Sequence, residues 1–254
     1  MRLARDGMYG QCLGGGGWIL GHRVDGTQAH YVQVPFAETS VYLLPDGVTN
    51  ESALMLADIL PTGYEVGVLN GHVTPGDTVA VVGAGPIGLA AITTARLFSP
   101  AHIVAIDLAK PRLDAASEFG ADRTVLADNS PEDVVRGLTA GLGADVVIEA
   151  VGVPETFELC CRLVRPGGHV ANIGVHGKPA TLHLESLWIK DVTITTGLVD
   201  TYSTPTLLTM VSAGQINPSQ FITHRFGIDE MLEGYDVFAQ PEDTGALKVA
   251  LFRS

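Results

Sequence analysis

Asp77-Thr78-Val79-Ala80-Val81-Val82-Gly83-Ala84-Gly85-Pro86-Ile87-Gly88 is the stretch that decides how this chain is read. Up to Val82 it is short, β-branched and almost wholly apolar, which predicts a parallel strand buried on both faces. Pro86 stands where a helix can open, because the first helical residue needs no N–H and proline already has the helical φ. That helix is expected to run to about Phe98. Between strand and helix lies a G-x-G-x-x-G spacing, which alone means little in a chain with 30 glycines. Its position makes it specific. Gly83 permits the tight turn, Gly85 lets the backbone approach a pyrophosphate, and Gly88 lets helix and strand pack closely, with Pro86 and Ile87 completing the loop. The helix N-terminus then offers free N–H groups and a partial positive charge to phosphates. The alternative is a packing turn with no ligand.

Outward from this motif, strand and helix patterns alternate. His102 to Ile106 reads as the next strand, and Pro111 opens a helix with Leu113, Ala116 and Phe119 at helical spacing and Gly120 as its stop. Thr124 to Ala127 is a weaker strand, and Ser130-Pro131-Glu132-Asp133 caps a third helix. Asp145 to Val151 is another apolar strand; Pro154 to Val164 is helical, stops at Pro166-Gly167-Gly168, and gives way to a strand over His169 to Val175. Repeated β-α units of this length predict an α/β fold, a doubly wound parallel sheet with right-handed crossovers. Asp107 ends the second strand, 19 residues after Gly88. A carboxylate there accepts hydrogen bonds from ribose hydroxyls and repels a 2′-phosphate, so the expected cofactor is NAD rather than NADP. Arg112 is expected along the adenosine, its alternative being a solvated helix face. Val151 and Gly152, then Ile173, Gly174 and Val175, end later strands on the carboxyl edge and are expected to touch the nicotinamide half.

The flanks do not alternate. Residues 1–50 are Gly-rich, with extended stretches at Ala29 to Val34 and Val41 to Leu44 that look like pieces of a mostly β domain. Residues 202–254 hold helix patterns at Thr204 to Ala213 and Ile228 to Ala239 and strand patterns at Phe221 to Phe226 and Leu247 to Phe252. The expected division is therefore 1–61 and 202–254 as one partial domain beside a dinucleotide-binding domain over 62–201. Fifteen basic against 28 acidic residues give −13, which repels phosphate backbones and anionic lipid, so nucleic acid and membrane are poor partners. From Thr78 to Ala95 there are eighteen uncharged residues, but Gly83, Gly85, Pro86 and Gly88 break the run, and strand, turn and helix explain it better than a membrane span. Met1 to Asp6 has no apolar run after its basic residues and does not read as a signal peptide. Cys12, Cys160 and Cys161 suggest no disulfide framework, and the expected compartment is reducing and cytoplasmic.

Several stretches resemble the medium-chain dehydrogenase/reductase superfamily, specifically its zinc-dependent alcohol dehydrogenases. They are Asp25-Gly26-Thr27-Gln28-Ala29-His30-Tyr31-Val32-Gln33-Val34-Pro35, Asp58-Ile59-Leu60-Pro61-Thr62-Gly63-Tyr64, Val73-Thr74-Pro75-Gly76-Asp77 with the glycine motif, and Ala246-Leu247-Lys248-Val249. His30 departs from the family, which usually has Glu there. The resemblance implies that Asp58 is similar to the third protein ligand of the catalytic zinc and that Thr62 contacts the nicotinamide. It also implies that residues 1–61 are a remnant of a GroES-like catalytic domain. The family's other two zinc ligands and its hydroxyl–histidine relay would lie upstream of this sequence. Of the family's C-x2-C-x2-C-x7-C structural zinc lobe, Cys12 matches the last cysteine, while Ala4 and Met1 stand at the preceding positions. One thiolate does not close a tetrahedral site, so no structural zinc is expected.

The other histidines, His22, His72, His102, His169, His176, His183 and His224, show no ligand spacing, and no G-x-S-x-G nucleophile motif appears. The leading expectation is an NAD-dependent oxidoreductase of the alcohol dehydrogenase type, acting on a small alcohol or carbonyl and impaired as these 254 residues stand. The alternatives are a non-catalytic NAD-binding protein and a zinc-free reductase of the same superfamily. Thr181-Leu182-His183-Leu184 and Val192-Thr193-Ile194-Thr195 are β-rich and follow the last expected sheet strand. Relatives pair an equivalent edge strand across a two-fold axis, so a homodimer or homotetramer is expected.

Overall fold

Short apolar runs cannot leave their peptide groups unpaired once buried, and in this chain six of them pair with one another. The computed structural model describes residues 7–12 and 19–253; Met1 and Ala4, weighed above against the zinc lobe, lie outside the described residues, as does the Met1 to Asp6 segment. The chain divides into two compact units, one over 62–197 and the other over 1–61 with 198–254.

The unit over 62–197 is built on β1 (Thr78–Val82), β2 (His102–Asp107), β3 (Arg123–Leu126), β4 (Ala144–Glu149), β5 (Val164–Asn172) and β6 (Thr193–Thr196). They form one parallel sheet in the order β3-β2-β1-β4-β5-β6. This is the doubly wound sheet expected from the alternating pattern. All of β1 is buried, which is why its sequence lacks polar alternation. Helices α1 (Pro86–Ala95), α2 (Lys110–Glu118), α3 (Pro131–Leu138) and α4 (Pro154–Leu163) each carry a proline within the first two positions, where the missing N–H costs nothing. Ala80, Val82, Val104, Ile106, Val147, Leu163 and Val170 meet in one buried cluster. Each fully buried Val, Leu or Ile there contributes roughly 1.5–3 kcal/mol.

Three details differ from the sequence reading. The first helix ends at Ala95 and tightens into a 3₁₀ turn over Arg96–Phe98. There Ser99 adopts a left-handed conformation. β5 starts at Val164 and passes through Pro166-Gly167-Gly168, which the sequence reads as a stop. A Cβ at Gly168 would lie 2.8 Å from the Asp145 carbonyl oxygen, so glycine allows the two strands to stay together, with the register shifting between Ala144 and Val146. Finally, Leu184 opens a short helix (Leu184–Leu187) instead of extending a β stretch, and Thr193–Thr196 joins the sheet as its sixth strand. Ahead of β1, Thr62–Leu69 forms a π-helix packed on α1, with a Cβ at Gly63 placed 2.6 Å from the Ala91 nitrogen.

The other unit holds short helices at Ala37–Ser40 and Asn50–Leu54, then α5 (Thr204–Ser212), β7 (Ile222–Gly227), α6 (Met231–Ala239) and β8 (Lys248–Phe252). β7 and β8 pair in parallel. The extended stretches at Ala29 to Val34 and Val41 to Leu44 form no ladder among the described residues, where Leu20 and Val24 make an isolated bridge. Tyr31 at 93% and Leu43 at 95% exposure show no neighbouring strand against them. The early and late segments are tied across long sequence gaps. Arg225 donates to both Glu51 carboxylate oxygens at 2.8 and 2.7 Å, the Tyr235 hydroxyl donates to Gln28 at 2.6 Å, and Arg253 donates to the His30 carbonyl.

Candidate functional site: the carboxyl edge of the sheet

The turn from β1 into α1 uses its three glycines for three different reasons. Gly83 has φ +97° and donates its N–H to the Ile106 carbonyl at 2.8 Å. Gly88 carries the helix so close to the turn that a Cβ would lie 1.8 Å from the Gly83 carbonyl oxygen. Gly85 is the opposite case: it caps α1, and nothing lies within 4 Å of where its Cβ would be. No side chain caps the helix, whose first residue is Pro86 with Ile87 following. Open space over bare backbone at a helix N-terminus fits a pyrophosphate.

At the end of β2, Asp107 is 8% exposed. Its Oδ2 accepts from the Ala84 N–H at 2.8 Å and its Oδ1 from the Ala109 N–H at 2.9 Å. The carboxylate is thus locked to the glycine turn. Each oxygen retains a lone pair, because a carboxylate offers about four acceptor sites, so each can accept a further donor. Arg112 reaches toward it, with Nη1 3.9 Å from Oδ2.

The strand order reverses between β1 and β4. A dinucleotide lies across such a switch point, so a nucleotide over β2 leaves its other half to the ends of β4 and β5. Val151 and Val175 stand exposed there, while Gly152 and Ile173 are buried. The two exits nearly touch: a Cβ at Gly174 would lie 2.3 Å from the Gly152 nitrogen and 2.2 Å from Glu149 Oε2.

Glu149 escaped the sequence reading. Fully buried, it closes β4 and accepts at Oε1 from the N–H groups of Val151 (3.0 Å) and Gly152 (2.9 Å) and from the Thr156 hydroxyl (2.6 Å). His176 Nε2 lies 3.5 Å from its Oε2 and 2.9 Å from Asn172 Oδ1, and the Asn172 amide donates to the Gly174 carbonyl. The available signal was a lone charge at the carboxyl end of Val146-Val147-Ile148-Glu149. Burial first, with the nearby Glu149 charge next, holds the Cys160 thiol well above its ordinary pKa, so it is not a nucleophile.

Thr62 opens the π-helix of this unit. Asp58 belongs to the other unit, where it is exposed and its charge faces Lys248, whose pKa burial pushes down against that opposing effect. Among the described residues no three of His, Cys, Asp and Glu gather into a metal-holding group. These donors do not fit a zinc, which takes three protein ligands even when catalytic.

Residues 86–213 match the family described as zinc-binding dehydrogenase. An alcohol dehydrogenase of Cupriavidus necator is 38% identical over 98% of this chain and 71% of that protein. An NADP-dependent isopropanol dehydrogenase of Thermoanaerobacter brockii is 31% identical over 89% of this chain and 67% of that protein. Among solved structures, the apo form of zinc-dependent alcohol dehydrogenase 2 from Streptococcus pneumonia superposes with a TM-score of 0.94 at 41% identity, covering 100% of this chain and 72% of that one.

Proposed function

We propose a function on one premise: the chain belongs to the zinc-binding dehydrogenase family. On that premise it is an oxidoreductase of the alcohol dehydrogenase type that binds NAD for hydride transfer to or from a small alcohol or carbonyl, and it is impaired in that transfer as these 254 residues stand. The bound nicotinamide supplies the hydride chemistry. The chain's own residues bind and orient. Gly83, Gly85 and Gly88 hold the turn open at the α1 N-terminus for the pyrophosphate, and Asp107 receives the ribose hydroxyls. Val151, Gly152, Ile173, Gly174 and Val175 form the wall for the other half, with Thr62 contacting the nicotinamide as in the family. No step is assigned to a zinc at Asp58.

The buried Asp107, tied by two peptide N–H groups, carries this reading. Its charge cannot swing away from a 2′-phosphate. NADH is therefore expected to bind at least about tenfold more tightly than NADPH, a difference of roughly 1.4 kcal/mol. The Asp107→Ala variant, losing both acceptor and repulsion, narrows that gap. Calorimetric titration with the two cofactors checks this, and equal affinities in the original chain overturn it.

Assembly follows from the edge strand β6. Beside it Leu184, Trp188 and Ile189 are 60%, 74% and 69% exposed, and an uncovered edge with apolar neighbours invites a second copy. A homodimer, or a homotetramer built as a dimer of dimers, is expected by light scattering; a clean monomer at micromolar concentration refutes it. No helix among the described residues is long and apolar enough to cross a membrane. With the adjacent, buried Cys160 and Cys161 both free thiols, a reducing cytoplasm is the proposed compartment.

A further inference from the structure

We propose that Glu149 is a positioning residue that sets the pocket for the nicotinamide half of the cofactor and has no part in holding the adenosine half. The inference rests on the dinucleotide reading above. Its ground is that one buried carboxylate reaches both strand exits. Through Oε1 it holds the Val151 and Gly152 N–H groups and the Thr156 hydroxyl, which fixes the β4 exit. The backbone carbonyl of Glu149 accepts from Ile173 at 2.8 Å and Gly174 at 3.2 Å, which brings the β5 exit up to the carboxylate. Its Oε2 forms the wall against which Gly174 rests, with no room for a Cβ.

Oε2 is buried and accepts no hydrogen bond from the described residues, with His176 Nε2 at 3.5 Å. An acceptor left in that state is costly. Packing alone would place an apolar side chain here, since a well-packed hydrophobe avoids the cost of burying a charge. The carboxylate instead spends its acceptors on peptide groups of the exit loop, so it specifies where Val151 and Gly152 lie relative to Gly174. His176 is held in turn by Asn172 at 2.9 Å and by the ring edge of Phe157, centroids 6.1 Å apart. By contrast, the adenosine side is set by Asp107 with the Ala84 and Ala109 N–H groups, at the end of β2, which β1 separates from β4.

The test compares NADH with ADP-ribose, which lacks the nicotinamide, by calorimetry. In the original chain NADH binds more tightly than ADP-ribose. In Glu149→Ala the NADH dissociation constant rises roughly tenfold while that of ADP-ribose moves less than about twofold. The Glu149→Gln variant, which keeps an oxygen for the Val151 and Gly152 N–H groups, restores most of the NADH affinity. Should Glu149→Ala fail to fold, Gly174→Ala presses on the same seam from the other wall and is expected to show the same selective loss. Parallel weakening of both ligands, unchanged NADH binding in Glu149→Ala and Gly174→Ala, or no rescue by Gln overturns the assignment. Binding of ADP-ribose and NADH with equal affinity by the original chain overturns it alone. Binding of neither overturns it together with the dinucleotide reading.

Discussion

Purified polypeptide of these 254 residues, incubated with NAD and simple primary or secondary alcohols, is expected to yield no NADH above background. An alcohol must approach the alkoxide before it releases a hydride. A catalytic zinc provides that acidity: it lowers the pKa of bound water to about 7, far below that of bulk water. At about 1.36 kcal/mol per unit, a shift of that size is roughly 12 kcal/mol. Positioning by Thr62 offers nothing comparable. The described residues gather no group of three metal donors, and Asp58 faces Lys248. Zinc content of the purified protein and an NADH assay with zinc added decide the matter. Stoichiometric zinc with ordinary turnover would show that other residues complete the site. Absent turnover with retained NADH binding bears the expectation out.

A second large effect separates two neighbouring glycines. Gly88→Ala forces a Cβ to 1.8 Å from the Gly83 carbonyl oxygen, a backbone atom of a residue whose N–H donates to the Ile106 carbonyl. Neither side can rotate away. The expected loss is about 3 kcal/mol or more, or roughly 10 °C in melting temperature, together with cofactor binding. Gly85→Ala is expected to melt like the original chain, because φ is −71° and nothing lies within 4 Å. Yet it should lose cofactor affinity, since its methyl occupies the space assigned to the pyrophosphate. Thermal melts and NADH titrations on both variants read the two effects apart. Undiminished NADH binding in Gly85→Ala removes the pyrophosphate from this turn, and an unchanged melt in Gly88→Ala removes the close approach.

Much of the sheet was legible because its signals are local. Val79 to Val82 lacks alternation because both faces are covered, and Pro86, Pro111, Pro131 and Pro154 mark helix starts by what proline cannot do. β5 was less legible. Proline followed by two glycines reads as a break, and only the approach of Asp145 at Gly168 shows why the strand passes through. The same holds for Glu149, whose partners at Thr156, Gly174 and His176 are brought together by the pairing of β4 with β5. The π-helix at Thr62–Leu69 leaves no periodic trace over so short a run. Asp107 was found from its place at the strand end, but not its two peptide donors, because they depend on how Ala84 and Ala109 turn back toward it.

The segment over 62–197 is unbroken, while its companion unit is assembled from residues 1–61 and 198–254. Vectorial synthesis treats the two unequally. The parallel sheet can collapse as soon as Thr196 has emerged. Glu51 and Gln28, made early, must wait for Arg225 and Tyr235 before their contacts exist. Once the sheet has formed it shortens the wait thermodynamically, since a folded insert replaces a floppy loop of more than a hundred residues and most of the closure entropy is already spent. The nascent early segment is therefore the stretch for which a chaperone has the longest time to compete.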